Sequence, residues 1–279
     1  MNAHSKAVYS LLAIGLIAGC VPLETHTARF ENKWPASGIA RLDVHEVNGT
    51  ISVDGSSPSE ITMVAVVHAR GVRPDPKKEY QGYFRTERDG DALSIRSSYE
   101  HGGIHFGWGR DIRVDYELHV PPSVALQLRT VNGRIETHAI AGETAATTVN
   151  GEVDIEATGA NEVAAKTVNG RVQARFTSDF HGAKLGTVNG RVIAVLPPSA
   201  SFFGDFTQVN GDFEAAFPLN IHSHPGSRRV SGDVNGGRYG LRISTVNGDI
   251  KVDNSAPPTP PTPLAPPAPP APPAPAPKT

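Results

Sequence analysis

Three carboxylates, a pair of histidines and a set of arginines are the residues of this chain whose types could do chemistry. Glu136, Glu152 and Asp154 fall close together in sequence. Side by side in a fold, they could flank a glycosidic bond, one as acid and another as base or nucleophile. His222-Ser223-His224 places two imidazoles two residues apart, the spacing at which a strand points both rings the same way. A tetrahedral metal site needs four ligands, and no neighbouring Asp, Glu or Cys completes this pair. A solvated loop outweighs the metal reading there, and no metal is expected. Arg134, Arg171 and Arg191 could form a cationic row toward an anionic glycan or lipopolysaccharide, although Glu152 interrupts it. Rows of alternating charge ordinarily mean a solvated face. The chain has no Gly-x-Ser-x-Gly, no His-Glu-x-x-His and no phosphate-binding glycine loop. The expectation is a protein that is not an enzyme and takes no cofactor.

Composition narrows the remaining classes. The formal net charge is −2, so there is no electrostatic footprint for nucleic acid. The single cysteine, Cys20, excludes an intramolecular disulfide and a Cys-based zinc site. Glycine and proline are abundant and aromatics sparse, which suits many turns and a low-complexity segment.

Whatever the charged residues do, a repeat positions them. Val-Asn-Gly occurs at 131–133, 149–151, 168–170, 188–190, 209–211 and 246–248, with an outlying copy at 47–49 and a further match at 234–236. A fixed motif at a near-fixed period marks a repeat architecture. Two residues before the Asn stand Thr130, Thr148, Thr167, Thr187, Gln208 and Thr245. Four before it stand Leu128, Ala146, Ala165, Leu185, Phe206 and Ile243, and three after it Ile135, Val153, Val172, Val192, Phe213 and Ile250. Position +2 is always charged, reading Arg134, Glu152, Arg171, Arg191, Asp212 and Asp249. This is a period-two strand, then Asn-Gly, then a second period-two strand.

Asn-Gly tolerates positive φ, so it serves either a two-residue hairpin or a corner of a β-solenoid. Parity does not separate the two. The spacing favours an all-β, right-handed β-solenoid of coils about 20 residues long, with a β-hairpin meander as the alternative. The turn residues are Asn132, Gly133, Asn150, Gly151, Asn169, Gly170, Asn189, Gly190, Asn210, Gly211, Asn247 and Gly248. Their role is structural, and stacked coils would set each Asn above the last so that the amides bond in a ladder. Small inward residues (Ala146, Ala165, Ala174, Ala194, Ala215) predict a narrow interior stabilised by neighbouring coils.

Upstream, strands are expected at Ile61–Val67, at Tyr83–Arg88 with Ala92–Ile95 across Asp89-Gly90, and at Ile112–Val120. Between the last two lies a glycine-rich aromatic loop in which His105, Phe106 and Trp108 could bind a sugar or a partner surface. A loop folded over an open solenoid end is the weightier reading.

Residues 1–19 read as an export signal, with Lys6 followed by an apolar run too short for an ordinary membrane span. The run closes with Ile17-Ala18-Gly19-Cys20, which resembles the lipobox of bacterial lipoproteins. That resemblance implies cleavage before Cys20 and its lipidation, hence anchoring by acyl chains. Val21 rather than Asp follows, which implies the outer membrane of a Gram-negative bacterium. Residues 20–38 read as a tether. After Asn254 the composition turns abruptly to Pro, Ala and Thr, so 254–279 is expected as a disordered, polyproline II tail that forms no packed core.

With the repeated Thr-Val-Asn-Gly units and the closing Leu241–Ile250 copy, residues 39–253 resemble the bacterial putative-adhesin domains of unknown function, β-helical modules of the cell envelope. The resemblance implies a non-catalytic binding or scaffold module that meets the membrane through its N-terminal lipid and takes a glycan or envelope protein as partner. A polysaccharide-active β-helix enzyme and a self-assembling scaffold stand as alternatives. The sequence leaves the oligomeric state open.

Overall fold

The computed structural model describes residues 6–8, 25–70, 84–97, 111–159, 161–219 and 229–254. Among these residues every regular element is a strand. The first eight are β1 (Lys6–Val8), β2 (Thr25–Pro35), β3 (Arg41–His45), β4 (Ile51–Asp54), β5 (Glu60–Arg70), β6 (Phe84–Asp89), β7 (Ala92–Ser97) and β8 (Asp111–His119). The regular repeats supply β9 (Ala125–Arg129), β10 (Ile135–Ile140), β11 (Thr144–Thr147), β12 (Val153–Ala157), β13 (Val163–Lys166), β14 (Val172–Phe176), β15 (Ala183–Gly186) and β16 (Val192–Leu196). The chain ends in β17 (Phe202–Asn210), β18 (Phe213–Ala215), β19 (Arg229–Val234), β20 (Tyr239–Asn247) and β21 (Ile250–Asn254).

The strands form two sheets. One runs β1-β2-β5-β8-β4-β10-β12-β14-β16-β21-β18, the other β19-β17-β20-β15-β13-β11-β9-β3-β7-β6. The two strands flanking each Asn-Gly lie in different sheets, and each pairs in parallel with the equivalent strand of the next coil. Asn-Gly is therefore a corner between sheets, which rules out the hairpin meander and gives a solenoid-like stack. Hairpin geometry is confined to places such as β6–β7, which pair antiparallel across Gly90.

Alternation explains the core. Ile135, Val153, Val172, Val192 and Ile250 stack in register on one inner wall. Leu128, Ala146, Ala165, Leu185 and Ile243 stack on the other, and all ten are buried. Alanines hold the middle coils close. The ends are aromatic: Phe30, Phe84 and Tyr116 meet edge-on at one end. Phe176, Phe180, Phe202 and Phe217 form a chain of edge-on pairs at the other. Ala215 departs from the expected interior row. It is half-buried, because β18 is the edge of its sheet.

Two sequence expectations need correction. Residues 25–35, read as part of a tether, form β2, which pairs antiparallel with β5 along its whole length. Ala28 and Phe30, two apart and buried, give it an inward face that polar neighbours masked. Second, spatial order differs from chain order at both ends. The Asn247 coil lies between those of Asn189 and Asn210, and β3–β4 lies between β7–β8 and β9–β10. Val234-Asn235-Gly236, the further match to the triplet, is not a coil corner. Asn235 sits at φ +50° and donates to the carbonyl of Ala200 at 2.9 Å.

At both ends of the second sheet the outermost strand runs antiparallel to its neighbour, β6 on β7 and β19 on β17. They cover the outermost parallel coils and break the parallel register there.

Candidate functional site

The outer corner of the stack is built from the repeat itself. Asn132 Nδ2 donates to Asn48 Oδ1, Asn150 to Asn132 and Asn169 to Asn150, each at 2.9 Å. Asn189 donates to Asn169 at 2.8 Å, and Asn247 to Asn189 and Asn210 to Asn247 at 2.9 Å. All six bonds point the same way along the stack. The backbone binds the same residues: the N–H of Asn150 donates to Val131 O at 2.8 Å, and the carbonyl of Asn150 accepts from Gly133 N–H at 3.0 Å.

The asparagines do not occupy the left-handed region; Ala139 and Asn235 are the non-glycine residues with positive φ among those described. The expectation that both residues of Asn-Gly are there for special backbone angles is thus half right. Gly170 does sit at φ +149°, and a Cβ there would lie 1.9 Å from the carbonyl oxygen of Gly151. Glycine lets successive corners touch, and asparagine bonds them through its side chain.

Beneath the corner runs a row of buried threonines. Thr148 Oγ1 donates to the carbonyl of Gly133 at 3.2 Å, Thr167 to Gly151 at 3.1 Å and Thr187 to Gly170 at 3.2 Å. Buried hydroxyls need such partners. Glu46 replaces the threonine in the first Val-Asn-Gly copy. It is buried and accepts from Asn48 N–H at 2.9 Å and from the Ser97 hydroxyl.

Outside the corner stands the valine of each triplet, to which the sequence pattern assigns no role. Val47, Val131, Val149, Val168, Val188, Val246 and Val209 are 36–44 % exposed. They form an apolar line alongside the amide line, on neighbouring coils whose strands lie about 4.8 Å apart. The signal was in the sequence: an invariant β-branched residue at the outward parity of a strand that already has its inward set. Asn48, omitted from the expected turn residues, belongs to the same row, and its copy at 47–49 was the cue.

The charged residues next to the corner neutralise one another. Arg134 bonds Glu136 at 2.5 Å and also Glu152, which Arg171 reaches at 3.2 Å. Because the Asn247 coil follows that of Asn189, Arg191 pairs with Asp249 at 2.9 Å. The arginine hydrogen bond, with a backbone N–H from Asp212, holds the Asp249 carboxyl below its usual range. Glu136 and Asp154 are paired across β10 and β12. Burial pushes Asp154 up, with Arg171 opposing and Glu136 adding to the rise. The expected cationic row is thus a line of ion pairs. Elsewhere, burial and the charges of Arg129 and Arg96 lower His45.

Cys20, the loop residues His105, Phe106 and Trp108, and the pair His222 and His224 lie outside the described residues. Among the described residues no three His, Cys, Asp or Glu side chains cluster to hold a metal ion.

The Toastrack DUF4097 family profile matches residues 35–253. No curated protein matches the sequence. Similar solved structures include a putative cell adhesion protein of Clostridium sporogenes, 11 % identical, covering 80 % of this chain and 98 % of its own, with a TM-score of 0.38. A putative adhesin of Bacteroides fragilis is 7 % identical, with 81 % and 96 % covered and a TM-score of 0.25. A putative lipid binding protein of Parabacteroides distasonis is 8 % identical, with 81 % and 94 % covered and a TM-score of 0.29.

Proposed function

The chain belongs to the Toastrack DUF4097 family, and on that premise we propose that it is a non-catalytic binding module of the bacterial envelope. In this reading the signal peptide is removed before Cys20 and lipid on Cys20 holds the protein to the outer membrane. The solenoid presents its Val–Asn corner to a glycan or an envelope protein. Its coils are right-handed and about 20 residues long, and the proline-rich segment stands clear of the core.

One observation carries the binding reading. An unbroken line of exposed valines runs beside a line of amides along the outside of the stack. Contiguous exposed apolar surface on a folded domain marks interaction sites. The catalytic alternative has less support, since two of its three carboxylates, Glu136 and Glu152, are tied into ion pairs at the surface. The antiparallel strands at the ends of the second sheet break the parallel coil register, which weighs against end-to-end stacking of coils.

The test is crosslinking in cells followed by membrane fractionation and partner identification. It compares the native chain, Cys20→Ser, and a triple Val149→Ser, Val168→Ser, Val188→Ser variant. Cys20→Ser should leave the membrane fraction, and the triple variant should stay there while losing its crosslinked partner. Continued membrane association of Cys20→Ser refutes the anchor. Unchanged partner yield in the triple variant refutes the corner as the binding face.

A further inference from the structure

We infer that the valine–asparagine ridge is a binding site for a polyproline II segment, and that its occupant is the chain's own proline-rich stretch, residues 257–274. This rests on the ridge being a binding face, as proposed above, but needs neither a lipid anchor nor an external partner.

The first argument is period. From Pro257 to Ala274 the sequence is written in triplets: Pro-Pro-Thr twice, Pro-Leu-Ala once, then Pro-Pro-Ala three times. Polyproline II has three residues per turn at about 3.1 Å each, so the column Pro257, Pro260, Pro263, Pro266, Pro269, Pro272 repeats every ~9.3 Å along one edge. Parallel strands lie about 4.8 Å apart, so every second coil of the ridge recurs at ~9.6 Å. One proline ring then falls against every second valine, and the mismatch stays within about 1 Å over three turns.

The second argument is hydrogen bonding. A polyproline II helix makes no internal hydrogen bonds, so its carbonyls are unspent. Each Asn Nδ2 carries two hydrogens, and the ladder uses one of them at Asn132, Asn150, Asn169, Asn189 and Asn247. The second has no partner among the described residues. The ridge therefore offers apolar methyls and amide donors in two adjacent lines, which is what proline rings and free carbonyls require. Neither surface is charged along these lines, so desolvation of ions does not oppose contact.

The third argument is reach. Asn254 ends β21, six residues beyond the Gly248 corner, or about 20 Å along the strand. Residues 255–262 cover that distance as a linker at about 3.1 Å each, and the triplets from Pro263 to Ala274 then lie on the ridge. From Val246 the line passes Val188, Val168, Val149 and Val131 to Val47, five steps or about 24 Å, and about eight polyproline residues span it. The segment has more than enough triplets left.

The test places a photo-crosslinking benzoylphenylalanine at position 168 (Val168→benzoylphenylalanine) in the purified full chain, with no envelope material present. Isotopically heavy and light chains are mixed before irradiation. The expected crosslinks join position 168 to peptides from 257–274 within one chain. Replacing 257–274 by Gly and Ser at equal length should lower their yield at least fivefold, with the same thermal unfolding midpoint. Crosslinks to other segments or to none, crosslinks between heavy and light chains, or equal yield from the Gly/Ser chain would each overturn the assignment. A negative result here leaves the envelope-partner experiment untouched, because that one reads a different molecule.

Discussion

The amide nitrogen of Asn169 lies 2.9 Å from the amide oxygen of Asn150, and Asn189 reaches Asn169 at 2.8 Å in the same direction. A middle asparagine therefore takes part in two bonds of a row whose members all sit on the surface. Water can replace each bond in the unfolded chain, so the net worth of one is about 0.5–1.5 kcal/mol.

Asn169→Ala should accordingly cost about 1–2 kcal/mol, read as a lower urea midpoint at unchanged slope. Asn48→Ala, at the end of the row with one ladder bond, should cost about half as much by the same measure. Asn169→Asp keeps the shape but sets an acceptor against Asn150 Oδ1. Its loss should exceed that of alanine at pH 7 and shrink at pH 3, where the carboxyl is protonated. Equal costs at positions 48 and 169 would mean that the ladder adds nothing beyond the backbone corner.

Gly170 and Gly240 separate close approach from ordinary glycine content. At Gly170 a Cβ would stand 1.9 Å from Gly151 O at φ +149°, whereas at Gly240 it meets nothing within 4 Å. Gly170→Ala must pry two coils apart and should cost about 3 kcal/mol or more, the upper range for forced overpacking. Gly240→Ala should change the thermal midpoint little. Comparable midpoints for the two variants would show that the corner yields easily.

The inner half of this architecture was legible in the sequence and the outer half was not, for a physical reason. Leu128, Ile135 and their equivalents are apolar with period two, and burial dictates that pattern directly. Asn and Gly were legible as corner residues, but backbone freedom explained both until the stacking distance split their roles. Parity left hairpin and solenoid equal, since both turn the chain between the same residues; only pairing partners distinguish them. The insertion of the Asn247 coil beside Asn189 depends on contacts remote in sequence, which a local pattern does not encode. The same insertion gives Arg191 its Asp249 partner. The valines of the ridge carry no surface signature in the sequence beyond their parity, because a β-branched residue is at home in any strand.

Charge alternation along position +2 makes a third prediction. Glu152 lies between Arg134 and Arg171 and bonds both. Glu152→Lys would set three cations on consecutive coils. Like charges directly opposite on neighbouring strands cost roughly 0.2–1 kcal/mol, so the midpoint should fall by that order at low ionic strength. At about 1 M salt the Debye length is near 3 Å, and most of the loss should be recovered. A deficit that persists in high salt would mean that Glu152 matters through packing rather than charge.

Asp154 gives the fourth. Burial raises its pKa above the ordinary 3.8, with Glu136 contributing and Arg171 opposing. Between 3.8 and the folded value the native chain holds more protons than the unfolded one. Stability therefore falls as pH rises through that window, and by pH 7 the ionised carboxylate is a net cost. Asp154→Asn should raise the thermal midpoint at pH 7, and the gain should vanish below about pH 3.8, where Asp154 is already neutral. A raised carboxyl beside a second carboxyl is also the pattern of a glycosidase acid. The two meanings part in one experiment: a carboxyl kept for chemistry would be traded for stability, and its loss would abolish polymer cleavage. In a binding module the shift is a by-product of a partly buried strand face, so Asp154→Asn should be more stable and otherwise unchanged. A lower midpoint at pH 7 would mean that the attraction of Arg171 outweighs burial.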